Sequence, residues 1–162
     1  MSEETDNLVL DPSKGTSFNI EHIYIKDASF EAPGSPQIFI NDGLQLETEI
    51  NMNVGTHKHS DTLYEVIMHL RVTGTFEEDV IYLAEVQQAG LFSLENFSEE
   101  ALHGTLGAYC PDILHAYGRQ QIASLISNGG FPPVHLPPVN FGFLYDKHLE
   151  QKQEKEKESV EA

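Results

Sequence analysis

Chemistry needs side chains that trade protons, ligate metal or attack an electrophile; this 162-residue chain offers 8 His, 26 Asp and Glu, and 1 Cys. The best metal spacing is His57-x-His59, because a period of two puts both imidazoles on the same side of an extended segment. That pair would serve a metal-dependent enzyme, yet Lys58, Ser60 and Asp61 around it read as a solvent-exposed polar turn. His22, His69, His103, His115, His135 and His148 lack ligand spacing. Carboxylates are so numerous that no pair stands out as acid and base. Cys110 has no partner in the chain, which excludes an internal disulfide and a cysteine-based zinc site and leaves the role of a small buried hydrophobe. The phosphate loop, the dinucleotide fingerprint, the nucleophile elbow and His-Glu-x-x-His are all absent. Asn96-Phe97-Ser98 matches the glycosylation triplet, but a chain without a secretion signal does not meet that machinery. No cofactor is expected, and binding replaces catalysis as the expected task.

Charge says what can be bound. The formal charge is −17, and residues 147–162 hold 4 Lys and 5 acids, so the body of the chain carries nearly all of it. Such a surface repels nucleic acid and anionic lipid and steers basic partners toward itself. No apolar run is long enough to span a membrane, and Met1-Ser-Glu-Glu-Thr-Asp lacks the basic and apolar regions of a signal peptide. The expectation is a soluble cytoplasmic protein that does not insert into membranes, with 40% hydrophobic residues supplying one core.

The elements that must present any binding surface follow from periodicity. Residues 1–16 are polar and contain Pro12 and Gly15, the pattern of a disordered leader. Phe18, Ile20 and Tyr24 share one parity and Ile23 and Ile25 the other, so the first strand has two covered faces or a bulge. Pro33, Gly34 and Pro36 open a long connection to about Gly43. Leu44 to Val54 alternates strictly, with a dry face holding Ile50 and Met52 and a wet face holding Glu47 and Glu49. A turn over Gly55 to Ser60, a strand from Leu63 to Phe76, a second turn at Glu77 to Asp79 and a strand from Val80 to Gln88 complete a meander. In the last strand Val80, Tyr82, Ala84 and Val86 share one face, and Ile81, Leu83 and Glu85 the other.

Helices come next. Ser98 followed by two glutamates starts one, Gly104, Gly107 and Pro111 forbid a single regular helix, and Pro111 opens a new stretch that Asn128-Gly129-Gly130 closes. Phe131-Pro-Pro-Val-His-Leu-Pro-Pro-Val is a stiff extended loop, and Asn140 caps a last helix. The fold class is α+β: a four-stranded antiparallel sheet with helices on one face. Residues 17–150 form the domain and 151–162 a charged, frayed tail. Leu63, Ile67, Ile81 and Leu83 leave the second face partly apolar, which points to self-association.

Four motifs then carry a resemblance: Ile23-Tyr-Ile-Lys-Asp-Ala-Ser-Phe-Glu-Ala-Pro33, Glu85-Val-Gln-Gln-Ala-Gly-Leu-Phe92, Leu106-Gly-Ala-Tyr-Cys-Pro-Asp-Ile-Leu114, and Phe131-Pro132 through Pro138-Val-Asn-Phe141. In this order, over about residues 18–150, the chain resembles the SecB family of bacterial export chaperones. The resemblance implies a homotetramer, a dimer of dimers, that holds unfolded precursor proteins without ATP and delivers them to the SecA motor. It implies that Asp27, Glu31, Leu83 and Glu85 receive SecA's basic, zinc-bearing tail. Ala84, Val86 and Gln88 match positions that tune the oligomer interface. Ile38, Phe39, Ile50, Met52, Phe131, Val134 and Leu136 match the client groove, although the loop and dry-face residues among them could equally belong to the core. An antitoxin is the alternative client, as for SecB-like proteins that guard one. Two departures stand out: Asp42-Gly43-Leu44 replaces a stretch where the family usually has tryptophan, and Ala84 stands where it commonly has cysteine.

Overall fold

A computed structural model describes residues 15–161 of the chain; most of the expected leader lies outside the described residues. Four strands, β1 (Ser17–Glu31), β2 (Glu47–Lys58), β3 (Leu63–Phe76) and β4 (Asp79–Glu95), form an antiparallel sheet in the order β1-β4-β3-β2. A short helix α1 (Gln37–Ile40) interrupts the first connection. Helices α2 (Glu99–Gly104), α3 (Cys110–Asn128) and α4 (Phe141–Glu161) follow the sheet.

β1 resolves its mixed parity with two bulges, between Ile20 and His22 and between Ile25 and Asp27. Each inserts one residue, so Phe18, Ile20, Ile23, Ala28 and Phe30 all share the face that the helices cover. A third irregularity corrects the reading of β4. Gly74 pairs with Tyr82 and Thr75 with Val80, leaving Ile81 as the extra residue. Val80 therefore turns away from Tyr82 and is 46% exposed, while Ile81 is buried beside Gly34. The turn to β4 uses two residues, with Glu77 at φ 55°, a sign that matches the twist of a hairpin.

β2 and β4 both run further than alternation shows. β2 continues through Gly55 to Lys58, so the turn begins at His59, where Ser60 Oγ accepts from the backbone N–H of Leu63 at 3.1 Å. β4 continues through Ala89, Gly90 and Leu91, whose small residues hide a period of two that resumes at Phe92 and Leu94.

The core lies between sheet and helix. Val66, Met68, Leu70, Val72, Val86 and Phe92 from β3 and β4 meet Leu114, Ile122 and Ile126 of α3, and all are sealed from solvent. Gly118 permits the close approach: a Cβ there would sit 2.6 Å from Leu70 Cδ1.

The helical segment is continuous without being one regular helix, and Pro111 stands at the start of a new stretch as expected. Ser98 Oγ accepts from the Ala101 N–H at 3.2 Å to start α2. One π turn, Thr105–Tyr109, then joins α2 to α3, and Pro111 sits in α3's first turn. Gly107 in that turn makes room for Tyr145 of α4, whose ring would lie 2.5 Å from a Cβ.

Asn140 caps α4 as expected, its Oδ1 accepting from the Phe143 N–H at 3.0 Å. The helix then runs through residues 151–161, where the alternating charge predicts a frayed tail. Gln, Lys and Glu are strong helix formers, and Lys152 with Glu156 and Lys155 with Glu158 are placed to pair along it.

Candidate functional site

The sheet has one face under the helices and one face bare, and the register sorts the expected site residues between them. Directly paired residues of antiparallel strands share a face. Glu31 pairs with Leu83, Leu83 with Thr73 and Thr73 with Glu49, making one row across all four strands. The next row is Ser29, Glu85, Arg71 and Asn51, and the third is Asp27, Gln87, His69 and Asn53. Asp27, Glu31, Leu83 and Glu85 are thus neighbours on the bare face. Glu47 and Glu49 extend the acidity onto β2, and the wet parity of that strand was their signal.

One cation interrupts the acidity, with an imidazole beside it. Arg71 bonds Glu85, and His69 Nε2 lies 3.7 Å from the same carboxylate. Further along the face, Tyr24 reaches over β4, where the facing residue is only Ala89, to donate to Glu65. Lys26 Nζ completes the cluster at 2.9 Å from Glu65 Oε1. Glu65 is 7% exposed, so its charge depends on these partners. The hydrogen bond from Tyr24, then that from Lys26, hold its carboxyl below the usual range, while burial and the Glu65 bond push the Tyr24 phenol up to about 12.

The signs set a pH dependence. A raised phenol contributes stability fully present below its unfolded value near 10 and lost as pH rises through about 12. The lowered Glu65 contributes stability present above its unfolded value and lost as pH falls through its folded one. Urea midpoints measured from pH 9 to 12 are therefore expected to fall, and Tyr24→Phe to flatten part of that fall. An unchanged alkaline slope in the variant would show that the phenol does not anchor β1 to β3.

The opposite face holds Ala84, Val86 and Gln88, at 0, 0 and 2% exposure beneath α3. Within the protomer their side chains meet α3 and not solvent, so they could tune assembly only through the helix they seat. Gln88 Nε2 donates to the Tyr24 carbonyl at 3.0 Å, tying this layer to β1.

The expected client residues divide. Phe131 and Leu136 are buried at 6% and 2%, and Phe131 packs its ring 4.7 Å from Tyr82 and 5.1 Å from Phe39. These two close the core. Ile38, Met52 and Val134 are half-buried against it. Phe39 and Ile50 stay open at 50% and 43%, with Ile40 more exposed still. α3 lies over β3 and β4, so the apolar side of β2 emerges at the margin with Ile50 on it.

His57 ends up at the tip of β2 and His59 in the turn beyond it, both exposed. Among the described residues no three His, Cys, Asp or Glu side chains gather to hold a metal ion. Cys110 is fully buried, and burial pushes its thiol up to about 12, which removes it as a nucleophile. No helix among the described residues is long and apolar enough to cross a membrane.

Comparisons with known proteins give the family and the fold. The family model described as preprotein translocase subunit SecB matches residues 11–152. The protein-export protein SecB of Xylella fastidiosa is 42% identical over 161 residues, covering 98% of this chain and 93% of that one. That of Stenotrophomonas maltophilia is 42% identical over 157 residues, covering 95% and 91%. A solved SecB-like chaperone of Mycobacterium tuberculosis, in complex with a peptide from an antitoxin, superposes with a TM-score of 0.62 at 15% identity over 75% of this chain and 90% of that one. It shares the fold. With the family model spanning most of its length and such identity to proteins of that name, the chain belongs to the SecB family, protein-export chaperones that are not enzymes.

Proposed function

We propose that the chain works in the cytoplasm as a dimer of dimers, captures unfolded precursors on apolar surface at the margin of the helix-covered face, and is docked on the bare face by the basic, zinc-bearing C-terminal segment of SecA. The observation that carries this reading is the register, which puts Asp27, Glu31, Leu83 and Glu85 on one uncovered face and Ile50 on the other. Client and motor can then be held at once.

Capture proceeds by many weak contacts. An unfolded chain that settles one apolar segment near Ile50 or Phe39 raises the effective concentration of its next segment at a neighbouring protomer, so avidity exceeds single-site affinity by roughly a hundredfold or more. Binding the unfolded chain and not the native one delays folding by mass action. Self-association is supported by apolar residues left open on the edge strand β1, Ile20 at 47% and Ile25 at 45%, and on the helices, Tyr117 at 48% and Phe143 at 55%. Release needs no hydrolysis by this chain, because engagement of the acidic face by a basic segment is electrostatic and separable from the apolar grip.

Light scattering tests assembly and capture together. Alone, the protein is expected to show a mass near four times that of one protomer; with a slow-folding precursor, the mass should rise by that of the client. A monomer that leaves the precursor's folding rate unchanged would end the proposal.

A further inference from the structure

Arg71 occupies the middle of the acidic face, opposite Glu85 on β4 and Asn51 on β2. Its Nε and Nη2 both bond Glu85 Oε1, and His69 approaches the other carboxylate oxygen. The Glu85 side chain, 21% exposed, is held from within the chain by Arg71 on Oε1, with His69 Nε2 3.7 Å from Oε2. The carboxylates at the two margins differ. Asp27 and Glu31 on β1 and Glu47 and Glu49 on β2 are exposed, and among the described residues none of the four has an ion pair. Glu49 takes only the Asn51 amide, at 3.4 Å. A cation arriving at the centre must displace Arg71 against its like charge, whereas one arriving at either margin meets an unneutralised carboxylate.

We propose that Arg71 keeps Glu85 occupied and so directs the docking cations to both margins of the face, Asp27 and Glu31 on one side, Glu47 and Glu49 on the other. This rests on the reading of the bare face as the SecA surface and adds a selectivity to it. Three strand spacings of about 4.8 Å separate β1 from β2, so the two margins lie about 14 Å apart. An extended segment advancing about 3.3 Å per residue crosses that span in about four residues. The occupant is thus a peptide lying across the strands with basic residues about four apart, and a segment with a single basic residue is discriminated against by the central guanidinium.

Calorimetric titration with SecA at low and moderate salt tests the assignment. Arg71→Gln is expected to tighten docking about three- to fivefold by freeing Glu85, and Arg71→Lys, which keeps the charge, to leave it unchanged. Glu49→Gln and Asp27→Asn should each weaken it by about two- to fivefold. Glu85→Gln should also weaken it, because the guanidinium is then unpaired, while Arg71→Gln with Glu85→Gln together should return to near the parent affinity. Arrest of an unfolded client serves as the control for folding in every variant. If Asp27→Asn weakens docking but Arg71→Gln fails to tighten it, Arg71 is no competitor; if Glu49→Gln is silent beside it, the second margin is not used. If Asp27→Asn and Glu31→Gln together change nothing, the bare face is not the SecA surface, and the docking reading falls along with the role of Arg71.

Discussion

Reversing two charges on β1, Asp27→Lys with Glu31→Lys, is expected to weaken SecA docking by roughly thirty- to a hundredfold while leaving capture of an unfolded client intact. Exposed ion pairs contribute about 0.2–1 kcal/mol each, and reversal both removes two attractions and adds two repulsions, for a total of about 2–3 kcal/mol. Both side chains are exposed on the bare face and neither supports a neighbour among the described residues, so the fold has no stake in them. The loss should shrink as salt rises, because the wild-type attraction is itself screened beyond a Debye length of about 8 Å at physiological ionic strength. Titration calorimetry at two salt concentrations, beside a refolding assay, separates the outcomes. Equal loss of docking and capture would mean that β1 had been disturbed and that no separate docking face exists.

Much of this arrangement is legible in residues 18–88 because the meander alternates strictly wherever one side is dry and the other wet. The side of the sheet on which Leu83 and Glu85 stand, opposite Ala84 and Val86, follows from parity alone. Mixed parity in β1 calls for a bulge or a second covered face without saying where the extra residues, Glu21 and Lys26, fall; in β4 parity gives no sign of Ile81, whose insertion moves Val80 to the other face. Glycine erases the pattern in another way: Gly90 offers no side chain on the helix-covered face between Gln88 and Phe92, so the alternation that ends at Gln88 does not visibly rejoin Phe92 and Leu94. Cross-strand partners are also invisible, since Tyr24 meets Glu65, and Arg71 meets Glu85, only after the register is set. Burial of the proline-rich loop divides on packing detail, and no sequence period separates Leu136, which points inward, from Val134, which is half-exposed.

That division makes Ile50 and Leu136 a matched pair of opposite outcomes. Ile50→Asp is expected to lower affinity for an unfolded client by roughly ten- to a hundredfold with little change in the urea midpoint. The side chain is 43% exposed and stands on an edge strand, so the fold loses little, whereas a client loses an apolar contact of about 1.5–3 kcal/mol and meets a new charge. Leu136→Asp inverts the result. At 2% exposure its carboxylate would be buried with no partner provided, and the protein should lose about 3 kcal/mol or more of stability, with client capture failing only where the fold has failed. Measuring the urea midpoint and client affinity on both variants decides the matter, because a client groove and a core respond on different axes. Unchanged client affinity in Ile50→Asp would assign the margin of β2 to some other partner, and a stable Leu136→Asp with weakened capture would return the proline-rich loop to the groove.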